Sequence, residues 1–147
     1  MTRGSSLSDP KVIERINRDF VPLEFNVTRG FPEQFPGLKL WEKAYERKFK
    51  SLLGFTTTVI LSPDGQRPLG TAGMGYKWQF DSSASYRPDK YLLFLDQSLA
   101  RFQSARAIEN DPRLGAEEKQ KKLALHRADT ERAIDESAKE AKLFVDE

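Results

Sequence analysis

The chain has 147 residues, enough for one ordinary domain with a core and an appended segment but too few for two full-sized domains. Its 38% hydrophobic and 31% charged residues are typical of a soluble globular protein, and no apolar run approaches the roughly 18 residues that span a bilayer. A net charge of +2 does not indicate a nucleic-acid partner. The absence of cysteine excludes thiol catalysis and thiolate metal sites within these residues. We expect no cofactor, no nucleic acid and no membrane partner.

A short helix followed by a strand is predicted near the N-terminus. Ser8 or Asp9 can cap a helix that has Pro10 in its first turn and ends near Asp19. In FVPLEFNV, residues 20–27, apolar and polar residues alternate with a period of two. That alternation predicts a strand with one face buried more deeply than the other.

A loop and an amphipathic helix are predicted next. Residues 28–37 are punctuated by proline and glycine, and Phe31 and Phe35 each precede a proline, so we expect these aromatic rings at the surface. Apolar residues then recur at intervals of three and four over residues 38–53, with charged residues between them. This spacing predicts a helix with one buried face.

The central part of the chain predicts a β-hairpin. Residues 57–61 are β-branched and apolar, Pro-Asp-Gly at 63–65 supplies a turn, and residues 66–72 form the returning strand. The segment GYKWQF, residues 75–80, alternates aromatic with polar residues. It either prolongs the returning strand or forms another one.

Two helices are predicted in the C-terminal part. Apolar residues between Tyr91 and Phe102 line a helix of about four turns. Asp111, Pro112 and Gly115 break that pattern, and residues 116–145 form a long helix rich in alanine, glutamate and lysine. Its apolar positions are small and sparse, which leaves three alternatives: loose docking, extension into solvent, or contact with a partner.

His126 is the chain's single histidine, with Asp129 and Thr130 three and four residues further along the same helix. The spacing admits a proton relay. With no nucleophile or pocket indicated nearby, a solvated surface histidine is the favoured interpretation.

Two stretches, SLSDPKVIERINRDFVPLEFNV and GFTTTVILSPDGQRPLGTAG, resemble the part of the thioredoxin-like fold family that follows its redox helix. The resemblance covers about residues 7–103. It implies an α/β fold with a thioredoxin-like sheet as a domain of residues 1–103, followed by a charged helical extension over residues 104–147. Thr56 stands where the family has its cis-proline, and no residue can take the role of the family's Cys-x-x-Cys.

The resemblance also implies where a partner binds. The family holds an extended peptide beside its cis-proline, so a protein or extended peptide is the expected ligand, and the two exposed phenylalanines are added as candidate contacts. The predicted partner-binding residues are Phe31, Phe35, Phe55, Thr56, Thr57 and Gly73.

The family's interior strand lies before its redox helix, and few residues precede the resemblance in this sequence. Without that interior strand, the two strands predicted on either side of it, within residues 20–27 and 57–61, would each expose a row of unpaired backbone groups. We expect one of three replacements for this interior strand: an upstream segment, a strand from another molecule, which would give a homo-oligomer through strand pairing, or direct pairing of the two strands.

Two functions follow as expectations. The first is a redox-inactive thioredoxin-like interaction or scaffold module. The alternative is an N-terminally incomplete thiol-disulfide oxidoreductase whose Cys-x-x-Cys lies upstream of Met1. The sequence as written indicates a cytoplasmic protein, whereas a missing upstream signal peptide would make it periplasmic or secreted.

Overall fold

The structure, a computed structural model, describes residues 6–23, 57–73 and 87–143. Within these ranges the chain combines α-helices with a two-stranded antiparallel sheet, so its class is mixed α and β. The elements in chain order are a 3-10 turn (Ser6–Ser8), α1 (Pro10–Asp19), β1 (Thr57–Leu61), β2 (Pro68–Gly73), α2 (Pro88–Asn110) and α3 (Ala116–Leu143). The predicted loop over residues 28–37, the predicted helix over residues 38–53 and the GYKWQF segment lie outside the described residues.

Helix α1 begins where its capping chemistry predicts. The Asp9 carboxylate accepts hydrogen bonds from the backbone N–H groups of Lys11 (2.9 Å) and Val12 (3.3 Å), and Pro10 occupies the first turn. Val12 is fully buried, and its side chain anchors α1 in the core. The prediction of this helix and of its end at Asp19 is confirmed.

The strand predicted over residues 20–27 is wrong for its first half. Residues 20–23 are neither helix nor strand, and the side chains of Val21 and Leu23 are 87% and 73% exposed. Pro22 lacks the backbone N–H that a strand ladder needs, which is consistent with the absence of pairing in these four residues. Residues 24–27 lie outside the described part of the chain.

The predicted hairpin is confirmed. Strands β1 and β2 pair antiparallel, with an irregularity between Ile60 and Leu61, where the returning strand starts at Pro68. In the turn, Gly65 adopts a positive φ of 67° and donates from its N–H to the Ser62 carbonyl at 2.8 Å. Glycine adopts this left-handed conformation without the steric cost that a Cβ atom would bring.

Helix α2 is longer than predicted and supplies much of the core. It starts three residues before Tyr91 and continues to Asn110, so the predicted domain boundary at residue 103 falls inside it. The division of the chain at that residue stays a prediction. The core residues shared by α1, the hairpin and α2 are Val12, Ile60, Leu69, Tyr91, Phe94 and Leu95.

Helix α3 docks on the rest of the described structure. It packs against both α2 and β2, and its side chains Thr130 and Ile134, one turn apart, are 6% and 7% exposed. Of the three alternatives left open by the sequence, docking is the one observed over residues 116–134. Its opposite face carries ion pairs between residues four apart, such as Lys121 with Glu117.

Candidate functional site

The structure describes two of the six predicted partner-binding residues. Phe31, Phe35, Phe55 and Thr56 lie outside the described residues, as does any peptide bond that would test the cis-proline position. Thr57 is the first residue of β1 and Gly73 the last residue of β2, and the two are directly paired. The hairpin therefore brings Thr57 and Gly73 together at its open end, opposite the turn.

One hydroxyl pair holds the open end of the hairpin against α2. The Thr58 Oγ1 atom lies 2.8 Å from the Tyr91 hydroxyl oxygen, within hydrogen-bond distance. Burial raises the pKa of Tyr91, whereas its hydrogen bond with Thr58 acts in the opposite direction. The Tyr91 ring in turn meets Phe94 edge to face, with ring centroids 5.4 Å apart. The contact between Thr58 and Tyr91 therefore restrains the backbone next to Thr57.

The middle of β2 approaches α2 so closely that a side chain does not fit. A Cβ atom at Gly70 would overlap the Ser98 hydroxyl and would lie 2.8 Å from Phe94 Cε2. Ser98 is fully buried, and its hydroxyl donates to the Phe94 carbonyl at 2.8 Å. The absence of a side chain at Gly70 is therefore what allows β2 to approach α2 this closely.

The turn end of the hairpin is held by three arginines from three elements. Arg101 of α2 donates to the Leu69 carbonyl at 2.7 Å, and Arg127 of α3 donates to the Gln66 carbonyl at 3.5 Å. Arg67 of the returning segment pairs with Glu109 of α2 at 2.9 Å. We call the three side chains Arg67, Arg101 and Arg127 the arginine cluster. It fixes the backbone of residues 66–69 to both C-terminal helices.

His126 lies beside this cluster on the packed side of α3, where it is half-buried. Burial lowers the pKa of His126, and the positive charge of Arg67 lowers it further. Asp129 and a hydrogen bond with the backbone of Arg101 act in the opposite direction. The sequence-based interpretation of a solvated surface histidine is therefore wrong.

The sequence reasoning missed Arg67, Arg101 and Arg127 as well. One signal was present for the histidine: residues 126, 130 and 134 are spaced by four, and the latter two are buried. Residues at this spacing share one helix face. No comparable signal marked the arginines, because their partners are backbone carbonyls and a carboxylate on other elements.

Comparisons with other proteins add nothing to this geometry. No protein-family model matches the chain, and neither a curated protein nor a solved structure matches it significantly. Among the described residues no three histidine or acidic side chains are grouped to hold a metal ion. In the same ranges, no helix has the length and apolar character required to cross a membrane.

Proposed function

We propose that this protein is a redox-inactive interaction module of thioredoxin-like architecture that binds an extended segment of another protein at the open end of its hairpin. The order of α1, hairpin and α2, with α2 packed on the hairpin, supports this proposal. The resemblance to the thioredoxin-like family implies the same order. The thioredoxin-like sheet and the binding activity both belong to the proposal.

One observation carries it: Thr57 and Gly73 form the last pair of the hairpin. An extended peptide gains affinity by adding main-chain hydrogen bonds along an exposed sheet edge, and the terminal pair of the hairpin lies at one end of such an edge. The hydrogen bond between Thr58 and Tyr91 holds this end in place before any partner arrives. A prepositioned strand end loses less conformational entropy on binding than a flexible one.

The chain's composition supports a module without redox chemistry. It contains no cysteine, so thiol-disulfide exchange cannot be carried out by these 147 residues. The alternative, an oxidoreductase, requires a Cys-x-x-Cys that another segment would supply. Nothing in the hairpin geometry favours that alternative over the interaction module.

The proposal is tested with a display library of random 12-residue peptides selected on the full chain. Selected peptides are then titrated calorimetrically against wild type, Gly73→Glu and Gly115→Glu. Gly115 lies at the start of α3, and nothing stands within 4 Å of a Cβ atom built on it, so it is a matched control. We expect binding at least tenfold weaker for Gly73→Glu and unchanged for Gly115→Glu.

Thermal melts of both variants show whether the substitution has simply unfolded the protein. Failure to select any binding peptide, or equal affinity for all three proteins, would exclude the open end as the binding site. We also expect affinity to be the same with and without dithiothreitol or N-ethylmaleimide. Loss of binding on reduction alone would favour the oxidoreductase alternative instead.

A further inference from the structure

The docked face of α3 carries an ionisable group at its contact with the hairpin. His126 is half-buried there, and the next two positions along the same face, Thr130 and Ile134, are buried. As the chain's single histidine, it is the side chain whose ordinary pKa lies between pH 5 and 8. Its protonation state therefore changes the charge of this contact within the physiological range.

The charges that face His126 come from three elements. Arg67 of the returning segment and Arg101 of α2 are positive, and Asp129 on α3 itself is negative. The charge of Arg67 is partly balanced by Glu109 of α2, and that ion pair is sheltered, with side chains 19% and 31% exposed. A proton on the imidazole would thus add a third positive charge to a contact that already carries Arg67 and Arg101.

The same contact is also where α3 is fastened to the hairpin. The next residue, Arg127, donates to the Gln66 carbonyl, and its guanidinium pairs with Glu131 on α3 at 3.0 Å. A hydrogen bond of 3.5 Å is at the long limit of the geometry and is readily lost. A new positive charge one residue away therefore acts on the weakest of the three attachments made by the arginine cluster.

We propose that His126 makes the docking of α3 sensitive to pH. With a neutral imidazole, α3 packs on β2 and α2, and with a protonated imidazole, repulsion from Arg67 and Arg101 together with the desolvation of the new charge loosens α3 from the hairpin. The hairpin stays on α2 in both states, because the close packing of Gly70 on α2 and the hydrogen bond between Thr58 and Tyr91 hold it there. The inference does not depend on what the hairpin binds.

The direction of the effect follows from proton linkage. Burial and Arg67 lower the pKa of His126 in the folded state, so the unfolded chain binds more protons over the window just below the ordinary value of 6.5. The contribution of His126 is complete above that value and is lost as the pH falls towards the folded-state pKa. The ordinary pKa values of aspartate and glutamate side chains, about 3.9 and 4.3, lie below this window.

Hydrogen exchange of the full chain tests the proposal at pH 7.5 and pH 5.0. Protection factors, which correct for the intrinsic pH dependence of exchange, are compared for α1, α2 and α3. In wild type we expect the protection of α3 residues 116–134 to fall several-fold at pH 5.0, while α1 changes little. In His126→Gln, whose side chain stays neutral, we expect no such fall. An equal fall in both proteins, or none in wild type, would overturn the proposal.

A second measurement needs no variant at position 126. The titration of the single imidazole is followed by NMR in wild type, Arg67→Gln and Arg106→Gln. We expect a wild-type midpoint below 6.5, a higher midpoint in Arg67→Gln, and an unchanged midpoint in Arg106→Gln, whose exposed side chain lies on α2. A wild-type midpoint at or above 6.5 would overturn the proposal, and an Arg67→Gln midpoint equal to that of wild type would overturn the role given to Arg67.

Discussion

Replacing Gly70 by alanine tests the packing of the hairpin on α2 most directly. The added methyl group would overlap the Ser98 hydroxyl and approach the Phe94 ring to 2.8 Å, closer than packed atoms come. The hydroxyl can rotate away by giving up its hydrogen bond to the Phe94 carbonyl. The buried ring has less freedom, because the Tyr91 ring packs against it. The hairpin and the helix must therefore separate by a few tenths of an ångström.

The expected loss follows from two opposing contributions. Overpacking a core contact costs about 1–3 kcal/mol. Alanine in a strand recovers about 0.5–1 kcal/mol of the backbone entropy that glycine loses on folding. We therefore expect Gly70→Ala to lower the free energy of unfolding by about 1.5 kcal/mol. For a chain of this length that corresponds to a fall in melting temperature of about 3–6 °C.

Urea denaturation followed by circular dichroism measures this difference. The control is Gly115→Ala, where the same methyl group meets open space, and we expect it to change the free energy of unfolding by less than about 1 kcal/mol. In the double variant Gly70→Ala/Ser98→Ala the hydroxyl is gone, so the loss should be about 0.5–1 kcal/mol smaller than the sum of the single losses. A Gly70→Ala protein as stable as wild type would refute the close packing.

Three further substitutions give distinct outcomes. Asp9→Ala removes the cap of α1 and should cost about 1 kcal/mol in urea denaturation, whereas an unchanged midpoint would mean that the cap contributes nothing. Tyr91→Phe removes the hydrogen bond with Thr58 and should also cost about 1 kcal/mol, and the double variant with Thr58→Val, which removes both hydroxyls, should recover part of that loss in thermal denaturation. The pKa of Asp64 is lowered from its usual 3.8, first by the hydrogen bond from Ser62, so its stabilising contribution is complete above 3.8 and is lost as the pH falls through the folded-state pKa. Asp64→Asn should therefore flatten the acid limb of a stability curve measured from pH 5 to pH 2, and parallel curves for the two proteins would contradict this.

The parts of the fold that could be predicted are those encoded within a few residues. The cap of α1 needs Asp9 and Pro10 at its start, and the hairpin turn needs Gly65 between two apolar strands. Both signals act over fewer than ten residues, and no distant contact overrides them. The break between α2 and α3 is local in the same sense, since Pro112 cannot continue a helix and Gly115 weakens one.

The parts that could not be predicted depend on contacts between distant elements. The apolar positions of α3 are small and sparse and do not predict its docking. In the structure Arg127 donates a hydrogen bond to the Gln66 carbonyl of the hairpin, and His126 is half-buried on the packed side of α3. Arg101 binds a backbone carbonyl, and every residue has one, so no sequence pattern indicates which carbonyl is bound. At the predicted binding site, the pairing register of the hairpin is enough to place Thr57 beside Gly73. The surrounding residues lie outside the described ranges.

The contact between α1 and α2 has a consequence for synthesis on the ribosome. Arg15 of α1 pairs with Asp96 of α2, 81 residues later in the chain. At about 5–20 residues per second, translation takes about 4–16 s to cover that interval. Val12, which ends fully buried, lacks its α2 neighbours for that time, so an apolar segment of the nascent chain stays exposed to water and open to non-specific association until α2 has been synthesised.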